Sequence, residues 1–144
     1  MKKLSILFTM SILAFLVGCT TSDEALIEPS VNSSIGQTWT LHKVSGGLAG
    51  ISITYPFGEV LWTFNETTSE LTVVNNIMTA GPENVYAGHE TGVYPYHINI
   101  VSGDSVLFID NMERGIISIN NNLLNIDDGV AADGMLTEFE QILP

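Results

Sequence analysis

Basic residues are scarce in this chain of 144 residues. It has four Lys and Arg residues against 16 Asp and Glu residues, and its formal net charge at pH 7 is −12. Lys2 and Lys3 stand at the start, which leaves Lys43 and Arg114 as the other two. A surface this acidic repels polyanions, because like charges raise the free energy of association. The composition therefore excludes nucleic acid and anionic lipid headgroups as electrostatic partners.

Cysteine is almost absent as well, since Cys19 is the only one and an intramolecular disulfide is impossible. The sequence also lacks the GxSxG elbow of a serine nucleophile. The glycine-rich segment "SGGLAG" (45–50) lacks the GK[ST] ending of a phosphate-binding loop. Glu138 and Glu140 share one strand face that is expected to be solvated, whereas an acid–base pair would need a cleft. We therefore predict that the protein is not an enzyme.

Metal-binding patterns are missing too. A zinc site needs three or four converging ligands, and the three histidines show neither HxH nor HExxH spacing. We interpret His42, His89 and His97 as surface residues. The acidic loop "DDGVAADG" (127–134) does not follow the ligand order of a calcium-binding EF-hand, and Asp-Gly is an ordinary turn signal. We predict no cofactor.

Long apolar runs are limited to one, at the start. Lys2 and Lys3 precede an apolar segment, residues 4–17, that is shorter than the roughly 20 residues of a membrane-spanning helix and typical of a signal peptide. Its end, Leu16-Val17-Gly18-Cys19, resembles the lipobox of bacterial lipoproteins. The resemblance implies that the signal peptide, residues 1–18, is removed and that Cys19 carries acyl chains, palmitate among them. Two chains anchor a protein stably in a bilayer. A plain secretory signal followed by a chance cysteine is the alternative.

Residues 19–36 have few large apolar side chains and many Ser, Thr and acidic residues, which predicts a flexible tether. In bacterial lipoproteins an Asp directly after the acylated Cys marks retention in the inner membrane. Thr20 occupies that position here, so the resemblance implies an outer-membrane protein. Ser22-Asp23-Glu24 resembles the acidic export tag of surface-displayed lipoproteins. Attachment facing the periplasm and display on the cell surface both stay open.

Residues 37–144 form one predicted domain, in which apolar residues alternate with polar ones at the period of two that is typical of β-strands. Clusters of Asn, Asp, Gly and Ser separate the strands and predict short hairpin turns, so that neighbouring strands are antiparallel. Closing such a meander into an up-and-down barrel removes its exposed edges. The sequence therefore predicts an all-β, antiparallel, eight-stranded barrel with strands near residues 38–44, 59–65, 70–76, 93–101, 105–110, 115–120, 123–127 and 135–141.

The first strand, "GQTWTL" (36–41), together with "GGLAG", "GEVLWTF" and the late hairpin "ISINNNLLNID", resembles the small lipocalin-like lipoproteins of Gram-negative bacteria. The spacing at the first strand is Gly-x-x-Trp, where transport lipocalins have Gly-x-Trp. The similarity is therefore to a looser lipocalin-like group, many of whose members have no assigned function. It implies a barrel that is monomeric and anchored in the outer membrane.

An eight-stranded barrel either fills itself with side chains or holds one small ligand. A self-filled barrel would act through its loops on a protein or another component of the cell envelope. A ligand carrier would need a cavity above about 300 Å³. The alternative to a self-filled interior is a small apolar pocket at one barrel mouth, for an apolar or amphipathic ligand. We predict Trp62, Tyr94, Tyr96, Tyr55 and Phe57 as its lining. Seven aromatic residues are predicted to face inward: Trp39, Trp62, Phe64, Tyr94, Tyr96, Phe108 and Phe139.

The loop 45–58 is unusually apolar and rich in glycine for a surface connection. Its large side chains are Leu48, Ile51, Ile53, Tyr55 and Phe57, which are expected to avoid water. We predict that this loop folds across a barrel mouth as a flap or a small extra hairpin. It would be a plug that seals the core or a lid over a pocket, and the sequence does not decide between the two.

Overall fold

The computed structural model describes residues 34–143. The predicted signal peptide, Cys19 and all of the predicted tether before Ser34 lie outside the described residues. No helix within 34–143 has the length and apolar character needed to cross a membrane.

Nine β-strands make up almost all the regular structure of residues 34–143, with one short α-helix and one 3-10 turn. The helix α1 spans Pro82–Tyr86, and the 3-10 turn spans Val130–Ala132. The strands are β1 (Thr38–Gly46), β2 (Ile51–Thr54), β3 (Val60–Asn65), β4 (Glu70–Asn75), β5 (Gly92–Val101), β6 (Asp104–Ile109), β7 (Met112–Asn120), β8 (Leu123–Asp127) and β9 (Met135–Gln141).

Eight of these strands close into an antiparallel barrel. From β3 to β9 each strand pairs with the next one in the chain, and β1 joins β3 to β9. The predicted eight-stranded up-and-down barrel is thereby confirmed. β2 is the ninth strand, and it pairs with the second half of β1, over Lys43–Gly46, beyond the point where β3 ends its pairing at Thr40. β2 thus pairs with the part of β1 that β3 leaves free, and the barrel of the other eight strands stays closed.

Side chains fill the barrel interior. Trp39 is fully buried near one end, and its indole Nε1 donates a hydrogen bond to the carbonyl oxygen of Ile35 at 3.0 Å. Ile35 is itself buried, so packing begins within residues predicted as tether, because this one large apolar side chain lies beside the start of β1. The largest fully buried side chains are Trp39, Phe139, Leu41, Leu71, Leu107, Ile109 and Leu124.

Six of the seven aromatic residues that were predicted to face inward lie in the core or pack against it, and the exception is in β6. Phe108 was expected to face inward, and this prediction is wrong: its ring lies outside and stacks on His97, with centroids 4.9 Å apart and an interplanar angle of 2°. Leu107 and Ile109 occupy the core instead. Residues 106–109 are apolar in succession, so the sequence pattern fits either face, and a shift of one residue exchanges the two.

The hairpin of β5 and β6 extends past its neighbours. β4 pairs with β5 only as far as Pro95, whereas β5 continues to Val101 beside β6 alone. Ile98 and Ile100 lie on the same face as the buried Tyr96, as predicted, but Ile100 is 71% exposed. The alternation therefore predicted correctly which face of β5 carries Ile98 and Ile100. It could not show that β4 does not extend far enough to pair with this part of β5.

The loop 45–58 forms the β1–β2 hairpin and the turn into β3. Leu48 is 93% exposed and Phe57 is 69% exposed, so the expectation that these two side chains avoid water is wrong. Tyr55 is buried, and its hydroxyl donates a hydrogen bond to the carbonyl oxygen of Glu83 in α1 at 2.9 Å. Burial and the nearby charges of Glu83 and Glu59 raise the pKa of Tyr55 to about 12, which keeps this donor protonated at neutral pH. The extra hairpin is present: β2 pairs with β1 from Lys43 to Gly46, and Tyr55 adds a hydrogen bond to α1.

Candidate functional site

A pocket of about 130 Å³ lies at the barrel end that carries the β4–β5 and β8–β9 connections. Its walls combine apolar and aromatic side chains with one guanidinium, one imidazole and one carboxylate. The lining residues are Trp62, Tyr86, Ala87, Gly88, His89, Arg114, Ile126, Asp128, Met135 and Thr137.

Trp62 forms the inner wall of the pocket. It lies in β3, is 4% exposed, and has its ring centroid 4.9 Å from that of Phe139 in the core. The segment after α1 lies against the indole: a Cβ added to Gly88 would be 3.2 Å from a ring carbon of Trp62. Gly88 also has a φ of +94°, which favours glycine. The turn at Gly88 therefore lets the chain pass directly over Trp62 and cover the barrel mouth.

His89 follows this glycine and lies between two aromatic rings. Its centroid is 5.6 Å from that of Trp62 and 4.7 Å from that of Tyr94. Burial lowers the pKa of His89, the positive charge of Arg114 lowers it further, and Asp110 acts in the opposite direction. The imidazole is therefore neutral at pH 7, with one nitrogen that donates a hydrogen bond and one that accepts.

A β-bulge near the start of β7 carries Arg114. Leu107 of β6 pairs with Gly115 and Phe108 pairs with Glu113, which leaves Arg114 without a partner on β6. An extra residue of this kind breaks the strict alternation of faces and redirects a side chain. Arg114 consequently lines the pocket although its neighbours follow the barrel pattern. The bulge depends on Gly115, whose φ is +124° and whose added Cβ would be 2.3 Å from the carbonyl oxygen of Asp127.

Three nitrogen atoms of the lining residues are buried without a hydrogen-bond partner among residues 34–143. They are Trp62 Nε1, His89 Nε2 and Arg114 Nε. A buried donor that lacks a partner costs about 1–3 kcal/mol, and more when the group is charged. Native proteins keep few such groups, and each one calls for a physical explanation. All three belong to side chains that line the same pocket, but the nitrogen atoms themselves have less than 1 Å² of accessible surface and do not face the pocket space.

The structure separates the five residues that we predicted for a ligand site. Trp62 lines the pocket, and Tyr94 packs behind it against His89. Tyr96 is buried in the core, where its ring meets that of Phe64 edge to face at 5.0 Å. Tyr55 contacts α1, and Phe57 points into solvent, so neither lines the pocket. The mouth is covered by residues 86–89 rather than by the loop 45–58.

Sequence reasoning missed His89 and Arg114. We interpreted His89 as a surface residue, which is wrong, because the glycine before it folds the chain onto Trp62. Arg114 was expected in the turn between the strands predicted at 105–110 and 115–120. The turn is instead Asp110-Asn111, with positive φ at both residues, and β7 begins at Met112. The available signal was Gly115, since a glycine inside a strand pattern often marks a bulge.

The acidic loop after β8 is held by its own backbone. Asp127 Oδ1 accepts hydrogen bonds from the N–H groups of Gly129 and Val130, at 2.9 and 2.8 Å. This use of an Asp side chain is a common way to stabilise a turn. Within residues 34–143 no three His, Cys, Asp or Glu side chains come together as a metal site would require.

Comparisons with protein-family models, curated proteins and solved structures found no significant match to this chain. The resemblance to lipocalin-like lipoproteins therefore stays a prediction from short motifs. Any function has to be argued from the pocket itself.

Proposed function

We propose that this protein is a non-enzymatic binding module that holds a small amphipathic ligand in the pocket at the barrel mouth. The observation that carries the proposal is the pocket of about 130 Å³ at the barrel mouth, whose lining includes the side chains of His89, Arg114 and Asp128. Ile126, Met135 and the indole of Trp62 supply apolar walls for the ligand body. Apolar walls with a few convergent polar groups are the usual composition of a small-molecule site.

The volume of the pocket limits the ligand. A cavity of about 150 Å³ holds benzene, whereas drug-sized ligands need about 300–1,000 Å³. At about 130 Å³, this pocket is smaller than the cavity of about 300 Å³ that was expected of a ligand carrier, which counts against a carrier of lipid-sized molecules. It suits only a molecule no larger than benzene. The best very small ligands gain at most about 1.5 kcal/mol per non-hydrogen atom. Dissociation constants between about 1 μM and 1 mM are therefore expected.

The binding proposal is tested with the two tryptophans of the chain, Trp39 and Trp62, whose indole N–H groups give two NMR signals. Small amphipathic molecules of benzene size or less are expected to shift the Trp62 signal and leave that of Trp39, which is bonded to Ile35. Thr137→Phe fills the pocket and should abolish the shift. Thr72→Phe, on the exposed face of β4, is the matched control and should preserve it. A library that leaves the Trp62 signal unchanged would contradict a binding function.

We further propose that the barrel is anchored in the outer membrane by acyl chains on Cys19, facing the periplasm or the cell surface. The support is the sequence of residues 1–20: two lysines, an apolar run, the lipobox resemblance, and Thr20 where an inner-membrane protein would have Asp. With 16 acidic residues, the protein itself offers anionic lipids no electrostatic attraction, so that attachment depends on the acyl chains.

The anchor is tested by Cys19→Ala in a Gram-negative host. The native chain is expected in the outer-membrane fraction. The variant is expected in the soluble periplasmic fraction, because without the Cys19 thiol it cannot form the thioether that carries the acyl chains. Thr20→Ala controls for effects of a substitution near the cleavage site and should stay membrane-bound. A Cys19→Ala protein that still sediments with membranes would show that acylation is not the anchor.

A second function rests on a different observation. The barrel interior is filled, and the protruding β5–β6 hairpin exposes Ile98, Ile100 and Val101. Exposed apolar side chains grouped in this way often mark contacts with another protein. The alternative is therefore a self-filled barrel that acts as an interaction module of the envelope, which becomes the favoured function if no small molecule perturbs Trp62.

A further inference from the structure

We propose that the open edge of β5 binds an extended, basic segment of another protein, which adds to the sheet as a further strand. The open edge is the backbone of residues 96–101 on the side that β4 leaves uncovered. This inference rests on the second function proposed above, the interaction module, and names the kind of partner and how it binds. It does not depend on the mouth pocket.

Two hydrogen bonds show to which side each residue of β5 points its backbone. The N–H of Tyr96 donates to the carbonyl oxygen of Ser69, just before β4, at 2.9 Å. The carbonyl oxygen of Pro95 accepts from the N–H of Asp110, just after β6, at 3.0 Å. Successive residues of an antiparallel strand direct these groups to opposite neighbours. Even-numbered residues of β5 therefore point toward the side of β4, and odd-numbered residues point toward β6.

Ile98 and Ile100 consequently direct two donors and two acceptors to the open edge, and the carbonyl group of Tyr96 adds a third acceptor. β4 pairs with β5 no further than Pro95, and among residues 34–143 these groups have no backbone partner. Both isoleucines are exposed, so the edge is accessible to another chain. A strand that pairs with it would satisfy all five groups at once.

This edge also lacks the devices that usually keep edge strands from pairing. Charged residues, prolines and bulges are the common ones. Residues 97–101 read "HINIV", without lysine, acid or proline, and they pair with β6 residue by residue without a bulge. β-branched residues such as these favour the extended conformation. An unprotected edge of this kind is the surface to which an extended peptide adds in known modes of strand addition.

Charge determines which strand fits. Glu70 pairs with Pro95 where the open edge begins, and Asp104 pairs with Val101 where it ends. Pro95 and Val101 are both odd-numbered residues of β5, so the two carboxylates lie on the same face of the sheet. An added strand that carries Lys or Arg near its ends would meet a negative charge at each of them.

A second copy of this chain is a poorer fit. Among residues 34–143 the basic residues are Lys43, on β1, and Arg114, in the pocket at the opposite end of the barrel. Another copy would therefore bring its own acids to the edge without a basic residue to balance them. Like charges placed together oppose association. The occupant is consequently a different, basic polypeptide.

The probe is the peptide acetyl-KVTVTVK-amide, whose valines would lie opposite Ile98 and Ile100 and direct their N–H groups to β5. It is titrated into the full-length ¹⁵N-labelled chain. Binding is expected to shift the amide signals of Ile98 and Ile100 and to slow their hydrogen exchange. The amides of His97 and Asn99, which point toward β6, should change less. The Trp62 indole signal should stay in place, because the pocket is not involved.

Modified peptides separate strand addition from unspecific apolar contact. Methylation of the three valine nitrogens removes the donors that face β5 and should weaken binding at least about tenfold. Methylation of the two threonine nitrogens, which face away, should change it by less than about threefold. The acidic counterpart, acetyl-EVTVTVE-amide, is expected to bind about fivefold more weakly, and the difference should narrow at high salt.

Two variants of the protein assign the binding to the open edge. Ile100→Lys places a positive charge on it, as many natural edge strands do, and should weaken the basic peptide about tenfold. Val93→Lys is the matched control, since Val93 is also exposed on β5 but lies where β4 covers the edge. It should change the affinity by less than about twofold. Both substitutions are at exposed positions, where the folded barrel tolerates them.

The outcomes distinguish this proposal from the interaction function on which it rests. If both methylated peptides bind equally well, strand addition is wrong and the interaction function stands on side-chain contacts. Equal or tighter binding of the acidic peptide would contradict a basic partner. Signals of Ile98 and Ile100 that shift with protein concentration alone would identify a second copy as the occupant. Slow exchange in the dilute protein would show that the chain covers its own edge, and a set of peptides that shifts neither amide would also overturn the proposal.

Discussion

Replacing Phe139 by alanine is expected to lower the free energy of unfolding by about 3–5 kcal/mol. Phe139 has no exposed surface and lies in β9 between Leu41 of β1 and Leu124 of β8, at the seam where the barrel closes. Its ring also supports Trp62, with centroids 4.9 Å apart. The substitution leaves a cavity at this seam, and the close-packed neighbours can refill it only in part. Urea denaturation followed by circular dichroism measures the loss.

Phe57→Ala provides the matched control, since it removes the same atoms from a side chain that is 69% exposed. Surface substitutions of this kind change stability by about 0.5 kcal/mol or less. A loss at Phe57 as large as that at Phe139 would show that the loop 45–58 packs into the core after all. If Phe139→Ala lowers the free energy of unfolding by less than about 1 kcal/mol, the barrel interior is not closely packed around this residue.

The barrel could be predicted because the signals that define its strands and turns lie within short stretches of the sequence. In β3, Val60, Trp62 and Phe64 alternate with more exposed residues, and polar turn clusters mark each hairpin, so strand number and order follow from the sequence alone. β6 shows where local information ends. Four consecutive apolar residues, 106–109, satisfy either face, and the choice depends on partners in β5 and β7. The wrong placement of Phe108 has this cause.

The pocket was less predictable because it depends on contacts between distant segments. Trp62 was identified from its alternation in β3. His89 reaches the pocket only because Gly88, with positive φ, passes over the Trp62 ring, and a single sequence does not show that approach. Arg114 reaches it only through a bulge whose register is decided by β6. Both missed residues follow or precede a glycine in an unusual backbone conformation, which is the one local signal they share.

The apolar loop 45–58 and the cover of the barrel mouth are connected, though not as the sequence suggested. The loop forms a hairpin beside the barrel, and Tyr55 bonds the backbone of Glu83 in α1. α1 leads directly to Gly88 and His89 over the pocket. The buried hydroxyl of Tyr55 thus ties the hairpin to the segment that covers the mouth. Of the other apolar side chains of the loop, Ile53 packs against the core, whereas Leu48 and Phe57 stay in solvent.

Gly115→Ala is expected to lower the free energy of unfolding by about 3 kcal/mol. Two effects add at this position. The φ of +124° lies in a region that side chains with a Cβ rarely adopt, and the new Cβ would be 2.3 Å from the carbonyl oxygen of Asp127. That oxygen belongs to the backbone of β8, which is paired with β7 and cannot move without breaking the sheet. The bulge at Arg114 is therefore expected to rearrange.

Gly103→Ala separates the clash from the backbone strain. Gly103 also has a positive φ, +99°, but a Cβ there meets nothing within 4 Å, so a loss of about 1 kcal/mol is expected. Because the bulge places Arg114 in the pocket beside Trp62, Gly115→Ala should also shift the NMR signal of the Trp62 indole N–H, whereas Gly103→Ala should leave it in place. If the two variants lose the same amount of stability, the close approach of Gly115 to the backbone of Asp127 does not contribute to the effect, and only the backbone strain does. A Trp62 signal that is unchanged in Gly115→Ala would show that the position of Arg114 does not depend on the bulge.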